Sequence, residues 1–237
     1  MVQAPQAPVA PPAARRWSLT PTLEQVRQIA AGSEGARTVP IFRETMADLE
    51  TPVSAFLKVR GDGPAFLLES IEGGERLARY SFIGANPVVL LRLADGAAHI
   101  ATADDERIEP YDDPLTPLRR LVDRYRSAEV AGTTLPRFVG GAVGYLSYEA
   151  VRAFEPRVGE APGSGLGLPD AAFMLVDSIL VFDHLARTIK AVAHVHLDPG
   201  VSIDAAYRAA ADRVDALIAQ LRAPTPPLPG GREALPG

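Results

Sequence analysis

The chain has no cysteine among its 237 residues. Disulfides, thiol nucleophiles and cysteine-ligated zinc or iron–sulfur sites are therefore excluded together, and the composition fits a reducing cytoplasm. Only two lysines occur, Lys58 and Lys190, and neither lies in a phosphate-loop or Schiff-base motif. No apolar run reaches the roughly 18 to 20 residues that a membrane span needs. Net charge is -5 and the arginines are scattered, so no basic stripe awaits nucleic acid or an anionic membrane.

What is present is ample apolar material, 47% of residues, enough for a buried core. The first 16 residues are rich in proline and alanine and read as a disordered extension rather than a targeting peptide. Residues 17–222 read as one ordered domain, and residues 223–237 as a linker or disordered tail.

Within the domain, "TPTLEQVRQIAAGSEG" predicts a short amphipathic helix capped by Thr20, with Pro21 in its first turn and Leu23, Val26 and Ile29 at helical spacing. "RTVPIFRETM" is β-rich but interrupted by Pro40, which suits a sheet edge. "ETPVSAFLKV" predicts a brief helix with Val53, Phe56 and Leu57 on one side. From Ala65 to Thr102, short apolar segments punctuated by Gly73-Gly74, Asn86-Pro87 and Asp95-Gly96 predict an antiparallel meander.

"DDPLTPLRRLVDRYRSAEV" predicts a helix with Leu115, Leu118, Leu121, Val122 and Tyr125 on its packed face. "RFVGGAVGYLSYEAVRAFE" predicts a glycine-rich approach to a helix from about Tyr145. "AAFMLVDSILVFD" and "TIKAVAHVHL" predict a hairpin about "HLAR", and "SIDAAYRAAADRVDALIAQLR" a long helix packed through Val214, Leu217, Ile218 and Leu221. The fold class expected is α+β: mostly antiparallel sheets, part of a β-sandwich, with helices outside.

The stretch "FLLESIEGGERLARYSFIG" raises the functional question. On a strand, Phe66, Leu68 and Ser70 share one face and Leu67, Glu69 and Ile71 the other, so both faces are apolar and both are expected to be covered. A polar group buried there without a partner costs on the order of 1 to 3 kcal/mol. Two answers stand open. Glu69 pairs with Arg76 or Arg79 across Gly73-Gly74 while Ser70 bonds backbone, or Glu69 and Ser70 hold a ligand bearing a cationic amine and a hydrogen-bonding edge.

"TPVSAFLKV", "FLLESIEGGERLARYSFIGANP", "GGAVGYLSYEAVRAFE" and "DSILVFDHLARTIKAVAHV", in that order, resemble the N-terminal region of anthranilate synthase component I over roughly Pro21 to Arg222. The resemblance implies the α+β fold above and a carbon–oxygen lyase that makes anthranilate from chorismate in tryptophan biosynthesis. It also implies a glutaminase subunit (component II), a magnesium requirement and feedback inhibition by L-tryptophan. The "LLES" motif then assigns Leu68, Glu69 and Ser70 to the tryptophan site. No catalytic residue or metal ligand is carried over, because in the family those belong to a C-terminal catalytic half not represented here. The chain alone is accordingly expected to be inactive and to bind no cofactor, and edges normally covered by that half are expected to promote self-association. The N-terminal region of aminodeoxychorismate synthase component I, of folate biosynthesis, is one alternative, and a stand-alone amino-acid-binding module is another.

Other constellations read as structural. Gly140, Gly141 and Gly144 lack the Lys-Ser/Thr of a phosphate loop and predict tight backbone packing. His194 and His196 share a strand face without an evident third ligand, which suits a half-exposed edge. Asp177 and Ser178, polar within an apolar strand, are expected to meet backbone or an ion-pair partner, and with His184 lack the nucleophile elbow of a hydrolase.

Overall fold

The computed structural model describes residues 18–69, 79–155, 157–159 and 167–226. The readings of residues 1–16 and of the tail beyond residue 226 lie outside these. The described chain is α+β, as its pattern predicts. In order come α1 (Leu23–Gly32), β1 (Thr38–Met46), α2 (Pro52–Val59), β2 (Ala65–Leu68), β3 (Tyr80–Ala85), β4 (Val89–Ala94), β5 (Ala97–Ala101) and β6 (Glu106–Pro110). Then follow α3 (Leu115–Arg124), β7 (Gly141–Leu146), a 3₁₀ helix (Tyr148–Ala153), β8 (Ala171–Val176), β9 (Ser178–Asp183), β10 (Thr188–His196) and α4 (Ile203–Arg222).

The strands form two five-stranded antiparallel sheets, ordered β1-β10-β9-β3-β2 and β6-β5-β4-β8-β7. Two corrections to the predicted strand pattern have one cause. The meander is two hairpins in different sheets, β2–β3 in the first and β4–β5 in the second, and "AAFMLVDSILVFD" is two strands rather than one. The chain changes sheets at Asn86-Pro87 and again at Asp177. These crossings lie side by side, because β3 pairs β9 on one side of them and β4 pairs β8 on the other. Periodicity alone does not reveal such a corner, since apolar alternation resumes immediately after it.

The layers follow from which faces are apolar. One face of the first sheet, with Ile41, Ile83, Leu180, Ile189, Ala191 and Val195, packs on α4, α1 and α2. The opposite face contributes Phe42, Phe66, Ile179, Val181 and Val192, which meet Leu135, Phe138, Val143 and Met174 from the second sheet and the segment leading into it. The far face of the second sheet, with Leu91, Leu93, Ile100 and Leu175, is covered by α3 through Leu118 and Leu121.

Local chemistry explains the helix boundaries. Thr22, not Thr20, caps α1, in a reciprocal capping box with Gln25, because Thr20 is engaged in backbone bonds with Phe42. In α2, Thr51 and Ser54 form the same device, and the buried face is Ala55 and Val59 rather than Val53, which is exposed. Asp113 receives the Leu115 N–H at the start of α3. Val122, expected on the packed face of α3, points outward. The helix predicted from Tyr145 is instead the end of β7, with a 3₁₀ turn after it, because β7 pairs β8 through Leu146.

Pro40 does mark an edge. On either side of it β1 is blunted, by Thr20 bonding Phe42 and by the carbonyl of Arg126 and the N–H of Ala128 bonding Thr38. The glycines before and within β7 are structural. A Cβ at Gly144 would lie 2.0 Å from the Ala172 carbonyl oxygen, a backbone atom that cannot swing aside. Gly144→Ala is expected to destabilise the chain by about 1–3 kcal/mol. Thermal unfolding checks this at roughly 2–4 °C per kcal/mol for a domain of this size, and an unchanged midpoint would mean that β7 does not press on β8 here.

Candidate functional site

β2 carries the start of the motif singled out from sequence, and among the described residues it is an edge strand four residues long, paired with β3. Both faces are covered at its middle, Phe66 packing between the sheets and Leu67 against the helix-side core, but cover ends at Leu68. Cross-strand register sets out what lies beside it. Phe66 stands opposite Gly84, its ring occupying the space a Cβ there would need, 2.4 Å from the nearest ring carbon. Leu68 stands opposite Phe82, and the same row continues through Val181 and Lys190 to Glu44. The next row runs Tyr80, Asp183, Thr188 and Met46.

Leu68 is 43% exposed and Glu69, just past the strand, is also exposed. Ser70, together with Gly73, Gly74 and Arg76, lies outside the described residues. Near Leu68, Tyr80 and Phe82 are half-buried with ring centroids 6.1 Å apart. The described part of the motif therefore presents an exposed acid one residue beyond an exposed leucine that stands opposite Phe82.

The chain returns to this sheet at Arg79, which is not paired with Glu69. Its guanidinium forks onto Asp183, Nε to Oδ1 at 3.1 Å and one terminal nitrogen to Oδ2 at 2.7 Å, and lies over the Tyr80 ring. The β9–β10 turn adds two bonds. The His184 N–H donates to the Arg79 carbonyl, and the His184 ring meets the Ser81 hydroxyl at 2.7 Å. His184 is thus a brace, and the hydroxyl that meets its ring, that of Ser81, is buried and closed to a substrate.

Behind Arg79 lies a group that the sequence reading passed over. Lys190 is fully buried, its Nζ 3.1 Å from Glu44 and 4.0 Å from Asp183, and Glu44 also accepts from Thr188. The signal was available, since a lysine in "TIKAVAHV" sits within a strand otherwise apolar enough to be interior. Burial pushes the Asp183 carboxyl up, but the Arg79 fork, the Ala186 N–H and the Lys190 charge outweigh it and hold it below the usual value of 3.8.

The remaining candidates resolve as packing and polar pairing. β10 pairs with β9 only as far as Ala193, so beyond it His194 is buried while His196, with 26% of its side chain exposed, keeps the half-exposed position expected. His194 bonds Thr38 and the Val139 carbonyl, and His196 bonds Asp177, which also accepts from Ser178. Among the described residues no group of three His, Asp or Glu side chains is placed to hold a metal ion, and no helix is long and apolar enough to cross a membrane.

Residues 63–233 match the family model described as chorismate binding enzyme. The chain belongs to that family. Among individual relatives, "Probable anthranilate synthase component 1" of Schizosaccharomyces pombe is 38% identical over 210 residues, which is 88% of this chain and 39% of that protein. "Anthranilate synthase component 1" of Pseudomonas aeruginosa is 39% identical over 87% of this chain and 41% of its own length. That of Acetivibrio thermocellus is 35% identical over 82% and 38% respectively. The chain thus spans about two fifths of the length of the relatives it matches. A solved anthranilate synthase component I from Streptococcus pneumoniae TIGR4 aligns with 77% of this chain and 37% of its own, at 23% identity and a TM-score of 0.49. The fold class given above rests on this chain's own two sheets.

Replacing Asp183 with asparagine leaves Arg79 and Lys190 without their shared counter-charge, and is expected to cost about 3–5 kcal/mol in urea unfolding at neutral pH. The folded carboxyl is held below 3.8, so the stability it supplies is present above that value and lost as pH falls through the lowered range. The deficit of the Asn variant should therefore shrink in strong acid, and an equal deficit at all pH values would show that the carboxylate charge is not what matters.

Proposed function

We propose that the chain is the tryptophan-sensing portion of an anthranilate synthase component I, in an enzyme that uses chorismate and ammonia from a glutaminase component to make anthranilate. The observation that carries this is the set of relatives bearing that name, which match more than four fifths of the chain at 35–39% identity. Their names favour the anthranilate enzyme over the aminodeoxychorismate one. Magnesium belongs to this reading as the cofactor of the whole protein, with no ligand assigned in these residues.

The geometry supports the sensing role at one point. Leu68, Tyr80 and Phe82 offer apolar and aromatic surface, Glu69 supplies a carboxylate for an ammonium, and Ser70 follows as a hydroxyl next in sequence. An aromatic amino acid has the complementary parts, an indole for that surface and an ammonium for the acid. Inhibition then requires that the amino acid bind one arrangement of the whole protein more tightly than another, since equal affinity shifts nothing.

The test is a protein of the relatives' length that carries these 237 residues. Ser70→Phe is expected to raise the tryptophan concentration for half inhibition at least tenfold while leaving turnover without tryptophan within about twofold, a loss of at least about 1.4 kcal/mol of tryptophan binding. Inhibition unchanged by the substitution would remove Ser70 from the site. Absence of any tryptophan inhibition in the unsubstituted protein would remove the sensing role altogether.

A further inference from the structure

A second polar cluster among the described residues stands where β8 passes into β9. Asp177, 6% exposed, accepts from His196 at 2.8 Å and from Ser178 at 3.0 Å, and lies 3.4 Å from the Arg213 guanidinium of α4. Its carbonyl accepts the His194 N–H, and Arg213 donates to the His194 carbonyl at 2.6 Å. The His194 ring, 4% exposed, then connects the sheets. Nε2 lies 3.0 Å from the Val139 carbonyl, on the segment entering the second sheet, and Nδ1 lies 2.9 Å from the Thr38 hydroxyl of β1.

The partners fix the protonation state. A carbonyl only accepts, so Nε2 carries the proton, and Nδ1 accepts from Thr38. The neutral ring is fully satisfied. A second proton would place a cation where water is scarce, with Arg213 already against the same strand, and would force the Thr38 hydroxyl to turn to the Tyr125 carbonyl at 3.3 Å. The Asp177 oxygens are already committed to His196, Ser178 and Arg213. The remaining charged or titratable groups nearby, Arg37, Asp123, Arg124, Tyr125 and Asp198, line with His196 a cleft of about 500 Å³ that reaches the cluster at His196 and is not lined by His194. Nor is there slack at the contact, because a Cβ on Gly140 would fall 3.0 Å from His194 Nε2.

We propose that this cluster is an acid-sensitive joint: the His194 ring can take a second proton at little cost only when the buried contact between β10 and residues 139–141 opens to water, so acid loosens the second sheet from the first. The first sheet keeps its packing on α4, because the other face of β10 meets that helix through Ile189, Ala191, Ala193 and Val195, none of which titrates. The joint does not depend on the tryptophan reading. Burial, against the pull of the Val139 carbonyl and Asp177, holds the imidazole below its ordinary 6.5. A lowered folded value means that the closed state is favoured above about 6.5 and weakened as pH falls below it. If the released ring titrates at about 6.5, the ratio of open to closed joint rises about tenfold between pH 7.5 and 5.5.

Amide hydrogen exchange on the chain at pH 7.5 and 5.5, corrected for intrinsic rates, tests this. Protection of Ala128 and His194, whose N–H groups bond the Thr38 and Asp177 carbonyls beside the ring, is expected to fall about tenfold at the lower pH, while Ala191 and Ala193 hold theirs. His194→Gln, which keeps one donor and one acceptor but does not titrate, should abolish the difference. Equal protection at both pH values, or a parallel fall across all three strands of the β1-β10-β9 group, overturns the joint. Should the Gln variant fail to fold, the His194 ring signal in the parent chain decides by its NMR titration. A midpoint clearly below 6.5 supports the joint, and one at 6.5 overturns it.

Discussion

An ionised carboxylate with 6% of its surface exposed cannot persist unless donors replace the water it has lost, and the fold turns on how Asp177 meets that condition. Burial pushes its pKa up, yet His196, Arg213 and Ser178 outweigh burial and keep it below 3.8. Those donors come from β10, α4 and the first residue of β9. The demand of one side chain therefore ties the strand that changes sheets to the sheet it enters and to the helix behind it. Isolated surface ion pairs such as Arg126–Asp123 carry no comparable obligation, because water can replace either partner.

A similar arrangement stands at the other end of β9, where Asp183 meets Arg79 and Lys190 in place of Arg213 and His196. β9 is thus apolar from Ile179 to Phe182 and bounded at both ends by an aspartate whose charge is matched by neighbouring strands. This fixes its register more tightly than apolar alternation would, because a slip by one residue would strand both carboxylates away from their donors. The two crossings from sheet to sheet lie next to this strand, so its register governs how the sheets face each other.

The legible and the illegible features separate along physical lines. Helices were readable because capping residues and 3.6-residue spacing are local: Thr51 with Pro52, and Val214, Ile218 and Leu221 on α4, all stand where the pattern puts them. The edge position of β1 was readable because proline removes a ladder donor. Sheet membership was not, since Leu175, Val176 and Ile179 look alike in sequence although they lie on either side of a corner. The failed helix at Tyr145 has the same origin, because β7 is a strand by virtue of β8, a partner 30 residues away. Of the candidate site, the motif was visible as an acid and a hydroxyl ending an apolar run. That Arg79 answers to Asp183 rather than Glu69 was not visible, because the choice depends on a strand more than 100 residues further on.

That choice bears on what the edge at β2 can do. Had Arg79 neutralised Glu69, the acid would be occupied and the surface of Leu68, Tyr80 and Phe82 would carry no net charge. With the guanidinium held by a buried aspartate, itself backed by a buried lysine, Arg79 does not neutralise Glu69, and among the described residues no ion pair reaches that acid. A cation that finds both that charge and the aromatic surface gains from each, whereas a simple ammonium gains only a screened surface attraction of well under about 1 kcal/mol. Selectivity for an aromatic ammonium over a bare one would thus arise from keeping the neighbouring arginine engaged elsewhere, and the charges buried behind Arg79 are the means of doing so.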